Sequence, residues 1–111
     1  MGIFDFLRKI ISIFSGEEAF NQLTPEFFAK QKIKMITPQK YFKFLMKKYL
    51  ELCALVEERK LKGMSWPLNW IDKAKLIEKE IEETANLIGV SPFKDGKEKL
   101  SETLEKLIHK I

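Results

Sequence analysis

The chain reads as all-α, a compact bundle of four to five helices with a long central helix at about 38–62. Three observations predict this. No segment alternates apolar and polar residues with period two over a useful length, whereas apolar residues recur at three- and four-residue spacing along most of the chain. Glycine and proline are few, five and four in 111 residues, while Lys, Glu, Ile and Leu dominate. Hydroxyl-then-proline pairs recur where helical patterns begin. The length is that of a single domain spanning 1–111, able to bury a modest core.

The first element is an amphipathic helix at about 2–14. Asp5, Arg8, Lys9 and Ser12 form one polar stripe, and Ile, Leu and Phe fill the rest. It is too short to span a bilayer. Its acidic residue and interrupted apolar run do not make a signal peptide. Gly16 ends it, and a short turn follows over 17–21. Thr24-Pro25 and Thr37-Pro38 then open two helices, each with a hydroxyl at the N-cap and proline at the first helical position. The first runs to about Met35. The second, at about 38–62, is stopped by Gly63 and is about 37 Å long at 1.5 Å per residue. Its apolar stripe is Phe42, Leu45, Met46, Tyr49, Leu52, Cys53 and Val56, widened by Tyr41, Phe44, Leu50 and Leu55. A further helix at about 67–88 is capped by Ser65 or Asn69, carries Trp70, Ala74, Ile77, Ile81, Ala85 and Ile88, and stops at Gly89. Ser91-Pro92 repeats the start signal, Asp95-Gly96 interrupts it, and the last helix spans about 97–110 with Leu100, Leu104, Leu107, Ile108 and Ile111 apolar. Short connections imply antiparallel neighbours.

Catalysis has little to work with. The one histidine, His109, is two residues from the end of the sequence, and with Glu102 and Glu105 it falls short of a four-ligand metal site. The single cysteine, Cys53, sits among Leu52, Leu55 and Val56 as a structural thiol, and one cysteine fits a reducing, cytoplasmic compartment. Glu78, Glu80, Glu82 and Glu83, mixed with Lys75 and Lys79, read as a solvated, ion-paired face. No glycine-rich phosphate loop or nucleophile–base set is present. No cofactor, no metal and no enzymatic activity are expected.

Charge distribution is the informative feature. Between Phe27 and Leu50 lie seven lysines and no acid, interleaved with aromatic residues. The whole chain is +4, so everything outside this block is net negative. Such a block attracts polyanions. The expected function is therefore non-specific binding of nucleic acid, DNA or RNA, alone or as an accessory subunit of a larger protein complex. Lys30, Lys34, Lys40, Lys43, Lys47 and Lys48 would contact phosphates, and Phe44, with Tyr41, would stack on exposed bases. Base-specific reading is not expected, since Arg8 and Arg59 are the only arginines. The alternative is a peripheral membrane or partner-docking module. In it, Ile3, Phe4, Leu7, Ile11 and Phe14 enter an anionic membrane surface or a protein groove while Arg8 and Lys9 face headgroups. Trp66 and Trp70 read as core plugs in preference to an exposed knob. Apolar stripes this wide are compatible with a homodimer.

Overall fold

The computed structural model describes residues 17–63, 65–93 and 97–109, and these are all-α, with no strand among them. The elements are α1 (17–21), α2 (Pro25–Met35), α3 (Pro38–Lys62), α4 (Asn69–Ile88) and α5 (Leu100–Ile108). Residues 2–14, with the docking residues Ile3 to Phe14, lie outside the described residues.

The two Thr-Pro starts act as read. Thr24 Oγ1 accepts from Phe27 N at 3.1 Å, and Thr37 Oγ1 accepts from Lys40 N at 3.3 Å. Each satisfies one amide that the first helical turn leaves without a partner. Gly63 ends α3 in the left-handed conformation (φ 65°), which a side chain would strain.

Two other expected starts are corrected. Neither Ser65 nor Asn69 caps α4, whose N-terminus at Leu68 has no side-chain cap. The Ser65 carbonyl instead accepts from Arg59 Nε at 2.8 Å. Ser91-Pro92 starts no helix, and α5 begins at Leu100, three residues later than expected. The cause is long-range. The first two amides of α5 are capped by other helices: Leu100 N donates to Tyr49 Oη of α3 at 2.8 Å, and Ser101 N donates to Glu78 Oε2 of α4 at 2.9 Å. Phe93 folds edge-on against Tyr49, with ring centroids 5.6 Å apart, and so holds the preceding segment to α3.

One cluster of buried side chains draws on all five elements. Its spine on α3 is Tyr41, Leu45, Tyr49, Leu52 and Val56, facing Trp70, Ala74, Ile77 and Ile81 of α4. Trp70 is the centrepiece. Phe20 of α1 stacks on it at 4.0 Å, Trp66 meets it edge-on at 6.2 Å, and the Arg59 guanidinium lies 4.9 Å from its ring. Arg59 is buried by this arrangement and also approaches Glu17, 3.8 Å away.

The α3 stripe is rotated relative to the sequence reading. Phe42, Met46 and Cys53 are only half-buried, Leu50 is exposed, and Tyr41 is fully inside. Glu78 is also inside, contrary to the expectation of a solvated acidic face. It is 5% exposed and accepts from Tyr49 Oη at 2.8 Å, from Ser101 N, and from Ser101 Oγ at 2.6 Å. A buried carboxylate is tolerable only when its oxygens are satisfied in this way, here with the positive end of α5 beside it.

Candidate nucleic-acid interface

The seven lysines of the block sit on α2 and the first half of α3. Lys30, Lys32, Lys34, Lys40, Lys43 and Lys47 are exposed and Lys48 is half-buried. On a helix of 3.6 residues per turn, Lys40, Lys43 and Lys47 fall within about 60° of one another, on the side opposite Leu45 and Leu52. They form a ridge along the outside of α3.

The α2 lysines are brought beside that ridge by an aromatic contact. Phe27 of α2 packs on Phe44 of α3, with centroids 6.2 Å apart. Lys30 is one turn from Phe27, and Lys40, Lys47 and Lys48 are each one turn from Phe44, so both groups border the same contact. Lys34 in the last turn of α2 and Lys40 in the first turn of α3 flank the connector between the helices.

Lys48 departs from the ridge. It borders a groove of about 460 Å³ together with Glu18, Glu51 and Glu58, so its surroundings are acidic. Lys32, not among the expected contact residues, is exposed on the other flank of α2, and its Nζ lies 5.7 Å from the centroid of the Tyr41 ring.

The aromatic half of the expected site is corrected. Tyr41 is 1% exposed, and its hydroxyl donates to Glu80 Oε1 at 2.7 Å and is 3.4 Å from the Phe28 carbonyl. Burial, reinforced by Glu80, pushes its pKa well up. It offers no face to a base. Phe44 is half-buried and engaged with Phe27, which leaves part of one ring accessible. Arg59 is likewise withdrawn, held by the Ser65 carbonyl and the Trp70 ring.

The surroundings of the lysines differ from those elsewhere. Among the described residues, six salt bridges occur, formed by Arg59, Lys62, Lys75, Lys79, Lys99 and Lys106, and none involves a lysine of the block. The helix starts differ in the same sense. The first turns of α2, α4 and α5 carry Glu26, Asp72 and Glu102, whereas α3 has no acid there and places Lys40 at its third position. A helix N-terminus is itself positive, so lysine there adds to an existing field. This signal is readable from the sequence, in the contrast between Thr37-Pro38-Gln39-Lys40 and Thr24-Pro25-Glu26.

Other chemistry is sparse. Among the described residues no group of three metal-ligating side chains converges. Cys53 is half-buried, and burial, with Glu78 and Glu57 nearby, pushes its thiol pKa up, away from the reactive thiolate. The described Tyr49–Glu78–Ser101 cluster is internally satisfied and serves to seat α5. No described helix is long and apolar enough to cross a membrane.

Comparison with protein-family models, with curated proteins and with solved structures finds no significant match for this chain.

Proposed function

We propose that the protein is a non-enzymatic, non-specific nucleic-acid-binding module, acting alone or as an accessory subunit, that holds phosphates with the lysines of α2 and the first half of α3. The observation that carries this reading is the absence of ion-pair partners for those lysines among the described residues, whereas Lys62, Lys75, Lys79, Lys99 and Lys106 are paired and Lys60, Lys73 and Lys97 are not. Unpaired lysines hold a cloud of counterions near their own field, and a polyanion gains by replacing those ions. Lys30, Lys34, Lys40, Lys43 and Lys47 carry the contacts. Lys48 contributes less because its neighbours are acidic.

The contact is to backbone phosphates and not to bases. Among the described residues the only arginine, Arg59, is engaged internally, so none of them offers the bidentate fork that reads guanine. With Tyr41 buried, stacking would fall to Phe44 alone, so little preference for single strands is expected. The test is fluorescence anisotropy of labelled single- and double-stranded DNA and RNA, titrated over a salt series. Binding should weaken linearly in log–log form with a slope near −0.9 per duplex phosphate contacted. Absence of binding at low salt would sink the proposal.

A further inference from the structure

The connector between α2 and α3 is strained and apolar at once. Ile36 has φ 68° and ψ −53°, and Thr37 N donates to the Met35 carbonyl at 2.7 Å, closing a three-residue γ-turn around it. For a β-branched residue this is a rare, costly conformation, which glycine would relieve. Nothing in the core recovers the cost, because Ile36 is 81% exposed. Ile33, one turn earlier, is 80% exposed, and Leu87 of α4, also exposed, borders a groove of about 140 Å³ with Ile36, Pro38 and Lys32. The other large exposed apolar residues among those described, Leu50, Leu61, Leu68 and Val90, do not line this groove.

Lys32, Lys34 and Lys40 ring this apolar tip, and all three are exposed. That collar disfavours a second copy of the chain, which would bring like charge against like. It matches an anionic surface. Because the tip residues are aliphatic and have no π-face for stacking on bases, acyl chains suit them better than nucleobases.

We infer that the α2–α3 tip is a docking element for anionic membrane surfaces, in which Ile33 and Ile36 enter the interfacial layer while Lys32, Lys34 and Lys40 engage lipid phosphates. The inference shares Lys34 and Lys40 with the nucleic-acid reading and differs from it in using the isoleucines, which a contact to nucleic-acid phosphates does not need. The test is co-sedimentation of the full chain with phosphatidylcholine vesicles, with and without phosphatidylserine, at low and at physiological salt. A double variant, Ile33→Ser with Ile36→Asn, is run beside it, and both proteins are also titrated with labelled DNA. Both side chains are exposed, so the variant should fold, with unchanged helicity by circular dichroism. The wild type should bind vesicles containing phosphatidylserine preferentially. The double variant should lose about tenfold or more in partitioning through the lost apolar insertion while keeping its DNA affinity. Three results overturn the inference: no wild-type binding to anionic vesicles at low salt, equal partitioning of variant and wild type, or a loss confined to DNA binding.

Discussion

Lysine is treated in opposite ways at the two ends of this molecule. On α4, α5 and the last turns of α3, Lys62, Lys75, Lys79, Lys99 and Lys106 each meet a glutamate, Lys73 donates to the Leu23 carbonyl, and Lys60 has no ion pair among the described residues. Lys99 lies 2.6 Å from Glu82 and Lys106 pairs with Glu98, and these contacts hold the Lys99 and Lys106 pKa values up and that of Glu98 down. On α2 and the first half of α3, seven lysines have no such partner among the described residues. Exposed pairs contribute little to stability, typically under about 1 kcal/mol each. The difference therefore lies less in folding energy than in the field left outside: nearly cancelled at one end, retained at the other and felt over about 8–10 Å in physiological salt.

The largest loss is expected on the paired side, at Glu78. Glu78→Ala would leave the Tyr49 hydroxyl, the Ser101 amide and the Ser101 hydroxyl without their acceptor in a buried site. A loss on the order of 3 kcal/mol is expected, read as a lower denaturation midpoint, with α5 exchanging its amide hydrogens first. An unchanged midpoint would mean that α5 is seated by Leu100 and Leu104 alone.

On the unpaired side, the triple reversal Lys40→Glu, Lys43→Glu and Lys47→Glu should leave the helical content intact and reduce DNA affinity about 100-fold. Its salt slope should shrink by about 2–3 charges. Reversal of Lys75, Lys79 and Lys106, equal in charge change but drawn from the paired region, should weaken binding far less. Equal losses from the two triples would show that net charge alone governs binding and that the block has no special role.

The core between the two sides also predicts a response to alkali. Tyr41 and Tyr49 are buried beside Glu80 and Glu78, and burial first, then these carboxylates, raise both phenols above the ordinary value of 10.0. For Tyr49 the Leu100 amide opposes the rise without cancelling it. In the unfolded chain the phenols release protons near pH 10, while the folded protein keeps them. The unfolded state then binds fewer protons, so stability is complete below pH 10 and falls above it, by roughly 1 kcal/mol per tyrosine between pH 10 and 11. Thermal melts from pH 8 to 11 should show this fall, and Tyr41→Phe should lessen it. A melting temperature equally steep in that variant would place the alkaline loss elsewhere.

What the sequence made legible was local. Thr24-Pro25 and Thr37-Pro38 mark helix starts because capping and the proline ring act within one turn, and Gly63 and Gly89 mark ends for the same reason. The basic block is visible as composition. Long-range partners were not visible. Tyr41 meets Glu80, 39 residues on, and Leu100 meets Tyr49 across 51 residues. A wide apolar face on α3 allows the core direction to fall on either side of Leu45, and Glu80 with Phe28 turn it toward Tyr41. Glu78 and Arg59 look like surface charges until the elements that bury them are placed. The lack of partners for the block's lysines is a property of the assembled surface and cannot be read along the chain.

The smallest effect, at Lys40, sets fold and binding against each other in one residue. Lys40 occupies the third position of α3, where its charge faces a helix terminus that is already positive. Thr37 already accepts from the Lys40 amide. The Thr37 amide is already engaged by the Met35 carbonyl, so a glutamate at this position would act through its charge against the positive helix terminus. Lys40→Glu alone should therefore raise stability by about 0.3–1 kcal/mol while weakening polyanion binding. Opposite signs in the two measurements, urea denaturation and DNA titration, would identify Lys40 as a residue kept at a cost to the fold. If the variant is both less stable and equally able to bind, the lysine is there for local structure, and the case for a binding ridge on α3 loses its first member.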